Sequence, residues 1–486
     1  MGRTRNYELG LYNEFEKLNE KLDKANNTIS NMSLTIYELN STVKSLRKES
    51  KKDKETIQKL LLEIERLKNN SNKNSNNSGK PSSTNGYKKV ILNNREKSNK
   101  KQGGQKNHKG TTLTKDDIDT MIKNGEIDEV IELIENKNEN NENLKPIITY
   151  EYDIEIKRKI IKHIIYPDIS TNIISSPVYY GNNIRTICNI LEMKYMSIDG
   201  IKSFIKEITN NKINISKGTI YTWNKNIANI LSETEYEKIK QELLNSLVLH
   251  VDESPIKIDG KQHYIHNISN DTHTLQYVGK KRGEVTLEEF GFLKEYQGIL
   301  IHDHFTMYYN YGIDNAECNV HILRYLNGVC EFTSHTWAKS MKELLIEAKN
   351  RKEELINNGN NAMSEEEYFK YKNRYLELII LGREEYKKDF KSNAYASDEI
   401  RLLNRMEKYV HNHLLFLEKF YVPFSNNQAE ADLRAVKIKQ KIGKFRSIEG
   451  ANTYAITRSC YSTYQKNETS IYNSISSLLN NKPILI

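Results

Sequence analysis

The sequence predicts an α/β protein in which helices flank a mixed sheet and a long helix precedes it. Two short, nearly continuous apolar runs, Leu247–Val251 and Ile299–Ile301, have the composition of strands buried on both faces. Residues 335–420 carry helical patterns almost throughout, and residues 8–68 repeat an apolar residue every three or four positions. These observations predict a sheet domain, a helical insertion and an N-terminal coiled coil within 486 residues.

Composition and charge exclude several classes of protein. Hydrophobic residues make up 37% and charged residues 28%, and the net charge of +9 is compatible with a polyanionic partner. No apolar run reaches the about 18 residues that a membrane span needs, so we expect no membrane association. Four cysteines are too few for a disulfide scaffold, and no apolar signal follows the first residues. We therefore expect a protein of the reducing cytoplasm.

The N-terminal repeat has the period of a coiled coil. From Leu11 to Leu67 the apolar residues recur in steps of four and three, which places them in one stripe along a helix. The register meets polar residues at Ser50 and Asp53. A single amphipathic helix packed on its own domain is the alternative, but the sustained spacing favours a coiled coil over residues 8–68. We therefore expect a homo-oligomer.

Residues 69–115 are predicted to form a flexible basic linker. The first part is low-complexity Asn and Ser with Gly and Pro, and the part from Tyr87 onward is strongly basic with one acid, Glu96. A solvated tail is one interpretation. An arm that contacts phosphates is favoured, because such charge density releases counterions on binding DNA. The lysines assigned to this contact are Lys100, Lys101, Lys106 and Lys109.

The next two regions carry weaker signals. Residues 116–180 mix acidic helical sequence with strand-like runs such as Ile147–Tyr150. Residues 181–240 are predicted to form several short helices, in which Ile215–Trp223 has a serine N-cap that enters an amphipathic helix after a turn. This pattern is typical of a helix-turn-helix that binds DNA, and a plain helical hairpin explains it equally well.

Residues 245–334 and 421–465 are predicted to form one α/β domain. Its first strand is followed by strand-like runs at Gln262–Ile268 and Thr274–Val278, a helical stretch at Val285–Tyr296 and a further buried strand. A later helix carries an acid near its start. This order of strands and helices matches a ribonuclease-H-like domain.

Three carboxylates occupy defined places in this domain. Asp252 and Asp303 lie at the ends of the two buried strands, and Glu430 lies in the first turn or two of the later helix. A single strand-end aspartate more often has a structural role. A ribonuclease-H-like fold, however, gathers three such acids to hold two Mg²⁺ ions, which prefer oxygen ligands. The sequence therefore predicts a Mg²⁺ site, which Mn²⁺ could also occupy, for phosphoryl transfer.

Several segments together resemble the insertion-sequence-66 family of bacterial DDE transposases. The resemblance runs from about residue 100 to the C-terminus, and the leading coiled coil is in keeping with it. The segments that carry it are His250–Pro255, Gly298–Phe305, Cys318–His321, Ser425–Glu430, Lys437–Ser447, Gly450–Ala451 and the Gly103–Gly110 loop.

The resemblance implies a DNA transposase that cleaves transposon ends and joins the freed 3′-hydroxyls to target DNA. The family's catalytic triad falls on Asp252, Asp303 and Glu430. Residues 335–420 are then a helical insertion in the catalytic domain, and residues 466–486 are a C-terminal tail. The implied partners are DNA and accessory transposition proteins, and the implied location is the cytoplasm, with the nucleoid when DNA is bound.

The chain departs from the family's pattern in two places. The family usually carries a Cys-x-x-Cys zinc ribbon between the basic loop and the helical region, but the first cysteine here is Cys188. We therefore expect a degenerate ribbon region over residues 116–180, with no zinc. Many members follow the catalytic Glu with Arg, whereas Ala431 follows it here and the nearest arginine is Arg434.

Other residues near the triad are assigned supporting roles. Cys318 and His321 have the spacing of metal ligands, but a zinc site would need two more, so we expect a packing role beside the active site. Strand alternation points Glu253 away from Asp252. His302 and His304 flank Asp303 and are expected to support it or to lie on the surface.

A basic cluster follows Glu430 and is predicted to contact the DNA backbone. A solvated helix face is the alternative. The cluster consists of Arg434, Lys437, Lys439, Lys441, Lys444 and Arg446.

Two other function classes stay open. A catalytically inactive DNA-binding or regulatory remnant would retain the fold without cleavage, and the missing zinc ligands favour it. The three intact carboxylates favour the enzyme. A coiled-coil scaffold with an incidental globular domain would depend on residues 1–86 for all of its function.

Overall fold

The computed structural model describes most of the chain from residue 179 onward and parts of the region before it. The predicted contacts at Lys100, Lys101, Lys106 and Lys109 lie outside the described residues, as does most of the predicted linker and ribbon region. The described residues are 2–73, 77–78, 113–133, 148–154, 156–162 and 179–481.

A single helix, α1 (Gly2–Asn72), occupies the predicted coiled-coil region. Its apolar stripe is exposed from Phe15 to Leu67, so the described part of the chain does not cover it. Just beyond its C-terminal end, Lys73 Nζ lies 2.5 Å from Asp398 Oδ2. The helix predicted from the periodicity is confirmed, and its pairing with a second chain stays a prediction.

Helix α2 (Lys115–Lys123) is the one regular element in the described part of residues 116–180. Thr114 and Asp117 form a capping box at its start. The strand predicted at Ile147–Tyr150 is wrong for its described residues, because residues 148–150 form no strand.

Helices α3 (Asn182–Met193), α4 (Ile198–Ile208) and α5 (Lys217–Leu231) pack around one apolar cluster. The predicted N-cap is confirmed, because Ser216 Oγ accepts a hydrogen bond from the Thr219 backbone N–H at 3.0 Å. A π-helical turn (Ser232–Tyr236) connects α5 to α6 (Glu237–Leu244).

The five strands have the order β3-β2-β1-β4-β5. The first two pairs of neighbours, β1–β2 and β2–β3, are antiparallel, and the predicted strand and helix positions in this region are largely confirmed. The strands are β1 (Val248–Ile258), β2 (Lys261–Ser269), β3 (Thr274–Gly279), β4 (Ile299–His302) and β5 (Asp314–Glu317).

Two details of this region differ from the prediction. The helical stretch before β4 is broken into α7 (Glu284–Phe290) and α8 (Phe292–Glu295), because Gly291 adopts a left-handed conformation with φ +77°. Strand β5 was not predicted, since Asp-Asn-Ala-Glu has no apolar pattern.

The predicted helical insertion is confirmed as helical. Trp337, Tyr375 and Leu403 are among its fully buried side chains. The helical pattern over residues 399–420 corresponds to two helices that meet at Tyr409. The helices are α9 (Asn319–Phe332), which precedes the insertion, and α10 (Trp337–Asn357), α11 (Glu365–Asp389), α12 (Ala396–Lys408) and α13 (Val410–Glu418) within it.

Three helices complete the fold: α14 (Asn427–Ile442), α15 (Ile448–Lys466) and α16 (Ile471–Asn481). Helix α14 packs on β1 and β2, and α15 packs on β3. The predicted C-terminal tail contains α16, which packs on α3 and buries Ile475 and Leu479.

The chain divides into two compact units. The first contains α1, residues 301–305 and residues 315–426. The second contains α2–α8, β1–β3, residues 306–314 and the residues from 427 onward. Asp303 therefore belongs to the first unit, and Asp252 and Glu430 belong to the second. Within the described ranges no helix has the length and hydropathy to cross a membrane.

Candidate active site

Asp252 lies on the face of the sheet that α14 covers. Its neighbour across the β1–β2 ladder is Asn267, whose neighbour in β3 is Gln276. Residues directly opposite one another in a sheet point to the same face. Gln276 Nε2 donates to Asn267 Oδ1 at 3.0 Å and to the backbone carbonyl of Asp432 in α14 at 3.4 Å. Asp252 is half-buried.

Helix α14 brings Glu430 to the same level of the sheet. Glu430 lies in the first turn of α14, and Asp432 is held by Thr274 Oγ1 at 3.2 Å and Lys466 Nζ at 3.0 Å. Further along, Gln440 Nε2 donates to the carbonyl of Pro255 at 3.2 Å. The helix therefore runs along β1 in the direction of the strand, and its first turn lies beside the level of Asp252.

An apolar cluster fixes α14 in this place. Leu433 and Val436 on the inner face of the helix pack against Ile256, Ile258 and Ile265 of the sheet. Each such buried aliphatic side chain contributes roughly 1.5–3 kcal/mol relative to an exposed one. Apolar packing of α14 thus sets the position of Glu430 over the sheet face, and the carboxylates take no part in that packing.

Asp303 directly follows β4, in the other unit. Among the described residues its Oδ1 is buried and has no hydrogen-bond partner. A buried acceptor without a partner costs about 1–3 kcal/mol, and a hard cation is a ligand that would satisfy it. The donor set of Asp252, Asp303 and Glu430 consists of carboxylate oxygens, which fits Mg²⁺ or Mn²⁺.

The convergence of the three acids stays a prediction. In the part of the chain that the structure describes, no group of three or more His, Cys, Asp and Glu side chains is arranged to hold a metal ion. Asp252 and Glu430 share a face and a level of the sheet, and Asp303 carries the orphan oxygen.

Two histidines flank Asp303 and have different environments. His302 is fully buried, and burial lowers its pKa to about 4, so its ring is neutral at neutral pH. Its Nδ1 accepts a hydrogen bond from the His304 backbone N–H at 3.1 Å. His304 adopts φ +78°, a left-handed conformation that residues with a Cβ rarely take.

Sequence reasoning missed a buried ionic cluster next to this turn. Glu317 at the end of β5 contacts His304, Arg405 and His413, and its side chain has no exposed surface. Burial opposes ionisation of Glu317, but His413, His304 and Arg405 outweigh it and hold its pKa below the usual range. The only local signal for Glu317 was its position just before the Cys318–His321 motif.

Cys318 connects the Asp303 turn to the segment that precedes α14. Its backbone N–H donates to the His302 carbonyl at 2.9 Å, and its Sγ accepts from the Asn426 backbone N–H at 3.2 Å. The adjacent Asn319 N–H donates to the Phe424 carbonyl at 3.1 Å. His321 is half-buried on the first turn of α9.

Glu253 points to the opposite face of the sheet from Asp252, as predicted. Its neighbours across the ladder are His266 and then Tyr277. Tyr308 Oη donates to Glu253 Oε2 at 2.7 Å, and Arg282 forms an ion pair with Oε1. Glu253 is therefore engaged on the far side of the sheet.

A comparison with known protein families gives one match for this chain. The sequence model described as Transposase IS66 family matches residues 181–453, more than half of the chain. The chain belongs to the IS66 family of transposases. The matched span runs from the region just before α3 into α15 and includes Asp252, Asp303 and Glu430. A search of curated proteins found no match.

The basic residues of this IS66 transposase that follow Glu430 form an exposed stripe. Arg434, Lys437 and Lys441 follow Glu430 at intervals of four, three and four residues, which places all four on one face of α14. Lys444 and Arg446 are exposed on either side of the buried Phe445. We call Arg434, Lys437, Lys441, Lys444 and Arg446 the basic stripe.

Lys439 differs from the residues of the basic stripe. Its Nζ lies 2.7 Å from Glu192 Oε1, and both side chains are largely buried. This ion pair joins α14 to α3. Lys439 therefore has a protein partner where a DNA contact was predicted, and whether it also contacts DNA stays untested.

The segment of the transposase that is predicted to form a helix-turn-helix or a helical hairpin has one face in protein contact. Lys225 Nζ lies 2.5 Å from Glu449 Oε1 at the start of α15, and Tyr221 Oη donates to the same carboxylate at 3.4 Å. Lys217, Gly218 and Thr222, in the first two turns of α5, are exposed. The predicted DNA-binding role of this region stays a prediction.

Proposed function

We propose that the protein is a Mg²⁺-dependent DDE transposase that cleaves DNA at transposon ends and transfers the strands to target DNA. The family match establishes a transposase, and a transposase acts on DNA. The observation that carries the finer proposal is the placement of Glu430 in the first turn of α14, over the sheet face that presents Asp252.

The strand order supports a ribonuclease-H-like core for this chemistry. Three antiparallel strands lie at one side of the sheet, with β4 and β5 beyond β1. The proposed first acid, Asp252, lies in the middle strand β1, and the proposed second acid, Asp303, directly follows the neighbouring strand β4.

Asp252, Asp303 and Glu430 would hold the divalent cations. The chemistry that such cations supply is activation of a water or a 3′-hydroxyl and stabilisation of the leaving oxygen. The protein's own contribution would be to keep these carboxylates in place. Apolar packing of α14 supports this for Glu430, and Asp303 Oδ1, which has no hydrogen-bond partner among the described residues, supports it for Asp303.

The basic stripe would bind the DNA backbone where it leaves the site. It begins one turn after Glu430 and shares its face of α14. Phosphate contacts of this kind fix the register of DNA without reading its sequence. A strand bound along α14 would therefore reach the carboxylates at the helix's N-terminal end.

We also propose that α1 pairs two copies of the chain and that the protein works in the cytoplasm, at the nucleoid when bound to DNA. Accessory transposition proteins are further proposed partners. The exposed apolar stripe of α1 supports the pairing.

The test is cleavage and strand transfer on a DNA fragment that carries the inverted repeats flanking this reading frame. Asp252→Asn, Asp303→Asn and Glu430→Gln should each abolish both reactions with Mg²⁺. Asp259→Asn is the matched control, because Asp259 is an exposed turn residue directly after β1. Full activity in any of the three variants would contradict the assignment.

An inactive DNA-binding remnant is the second candidate, since no cysteine precedes Cys188 to form the family's zinc ribbon. This candidate predicts a mobility shift of the same DNA and no cleavage with Mg²⁺ or Mn²⁺. The cleavage assay above therefore separates the two functions.

A further inference from the structure

Asp303 lies in a turn whose two flanking residues are held by the last residue of β5 and by the residue that follows it. The residues that hold them are consecutive: the Cys318 backbone N–H donates to the His302 carbonyl at 2.9 Å, and Glu317 Oε1 accepts from His304 Nδ1 at 2.6 Å. The carboxylate of Asp303 thus projects from the middle of a segment that is fixed on both sides.

The conformation of this turn needs such support. His304 has φ +78°, where steric contact between Cβ and the backbone disfavours every residue except glycine and, to a lesser degree, Asn and Asp. Strained backbone of this kind persists where surrounding contacts over-determine it, and it concentrates at functional sites. Glu317 Oε1 reaches the His304 side chain at hydrogen-bond distance.

Glu317 is itself held on its other oxygen. Arg405 Nε donates to Glu317 Oε2 at 2.8 Å, and His413 Nε2 lies 3.1 Å from the same atom. His413 Nδ1 lies 2.8 Å from the Tyr375 hydroxyl, which also donates to the Met406 carbonyl at 3.3 Å. These contacts hold the His413 ring from the side opposite Glu317.

The arrangement resembles the outer shell of a metal site. Some residues do not touch a metal but orient the residues that bind it. Substituting such a residue commonly lowers metal affinity by about tenfold to a hundredfold. Here the buried cluster ends at the residue after Asp303, and Asp303 Oδ1 is the oxygen without a hydrogen-bond partner among the described residues.

We propose that Glu317 is a positioning residue for Asp303. It fixes His304 in the left-handed conformation and so holds the Asp303 carboxylate ready for a divalent cation. This inference rests on the proposed function, in which Asp303 is a metal ligand. Arg405 and His413 act through Glu317, because they bind its other oxygen.

The test compares two isosteric substitutions of buried acids in the same unit. Glu317→Gln weakens the bond to His304. Glu399→Gln is the matched control: Glu399 is equally buried and also bonds a histidine, His335, at 2.7 Å, along with the Trp337 indole N–H. Both substitutions should lower thermal stability, so stability alone does not distinguish a positioning role from a structural one.

The distinguishing measurement is Mn²⁺ binding to the full-length protein, followed by electron paramagnetic resonance of the free ion. The Mn²⁺ binding that is lost in the Asp303→Asn protein is assigned to the site that contains Asp303. Glu317→Gln should raise the dissociation constant of that site by about tenfold or more. Glu399→Gln should leave it unchanged, and the Mg²⁺ concentration for half-maximal cleavage should shift in the same way for each variant.

A second variant covers the case in which Glu317→Gln does not fold. His304 is partly exposed, and His304→Asn places a residue that tolerates the left-handed conformation but has a shorter reach to Glu317. It should show the same loss of Mn²⁺ affinity. Unchanged Mn²⁺ affinity in a folded Glu317→Gln or His304→Asn protein, or an equal shift in Glu399→Gln, would overturn the inference.

The inference and the proposed function fail in different ways. If Asp303→Asn retains cleavage, the proposed function itself is contradicted. If Asp303→Asn abolishes cleavage while Glu317→Gln keeps the wild-type dependence on Mg²⁺, the proposed function stands and Glu317 has only a structural role.

Discussion

The Cys318 thiol accepts a hydrogen bond from the backbone N–H of Asn426 at 3.2 Å. Cys318 begins the Cys-x-x-His motif after β5, and Asn426 is the residue just before α14. The spacing of Cys318 and His321 suggests zinc ligation, but Cys318 Sγ contacts the main chain. This contact joins the motif to the last residue of the first unit.

Substitutions of Cys318 should separate this role from metal binding. Cys318→Ser keeps an acceptor and should retain most strand cleavage, whereas Cys318→Val removes the sulfur that accepts from the buried Asn426 N–H and should cost about 1–3 kcal/mol of stability. Cleavage assays and thermal unfolding of both variants are the measurements. A zinc chelator should leave the wild-type protein unaffected, and loss of activity with the chelator would contradict the packing role.

The basic stripe and Lys439 give a matched pair for DNA binding. Lys437→Ala removes an exposed charge on the face of Glu430, so DNA affinity should fall and the slope of log K against log salt should decrease by about 1. Lys439→Ala breaks the ion pair with Glu192 and should act mainly on stability. Fluorescence anisotropy over a salt series measures the slope. An equal or larger change of slope for Lys439→Ala would contradict the assignment of the stripe.

Helix α1 carries the pattern of a parallel two-stranded coiled coil. Five of the eight first core positions between Phe15 and Ile64 are β-branched (Ile29, Ile36, Val43, Ile57 and Ile64), and leucine dominates the second core position. In a parallel pair Glu49 faces the partner's Lys54, which adds an attractive contact between the helices.

Cysteine cross-linking tests this orientation. Leu18→Cys and Leu60→Cys, each in a Cys330→Ser background that removes the exposed cysteine, should both form disulfide-linked dimers at high yield. In an antiparallel dimer a position can meet itself only at the centre of the overlap, so the two variants could not both cross-link. Failure of either one in a dimeric protein would contradict the parallel arrangement.

His335 makes the stability of the helical insertion dependent on pH. Burial opposes protonation of His335, but the hydrogen bond to Glu399 and the charges of Glu399, Asp389 and Glu385 outweigh it and raise its pKa. A raised folded-state pKa means that protonation stabilises the fold. This contribution is fully present below the unfolded pKa of about 6.5 and is lost as pH rises through the higher folded pKa.

Urea unfolding of wild type and His335→Gln at several pH values checks this dependence. Wild type should lose stability, relative to the variant, as pH increases from about 6 to about 9. The difference between the two proteins should therefore be largest at the acidic end. If the stability difference between wild type and His335→Gln instead increased toward alkaline pH, the stabilising role of protonated His335 would be contradicted.

The sequence predicted the elements whose pattern is local. The apolar runs before Asp252 and Asp303 predicted β1 and β4, and the spacing of four and three residues predicted α1. Strand β5 could not be predicted, because Asn315 and Glu317 are buried polar residues whose partners lie far along the chain. A local sequence pattern predicts that a residue is buried only where the buried residues are apolar.

The candidate site was predictable to a similar extent. The three acids could be chosen from their places at strand ends and at a helix start, and the resemblance selected the same residues. Arg405 and His413 carry no such signal, because they lie on helices of the insertion and reach Glu317 only through the tertiary fold. The break of the last helical stretch at Tyr409 was missed for a related reason, since no Pro or Gly marks it.

The central claim is that acids distant in sequence share a divalent-cation site. Anomalous diffraction from crystals of the full-length protein soaked in Mn²⁺ tests it most directly. The account predicts Mn²⁺ peaks within ligand distance of Asp252, Asp303 and Glu430, and their loss in the Asp303→Asn protein. Mn²⁺ bound elsewhere, with these three carboxylates apart, would contradict it.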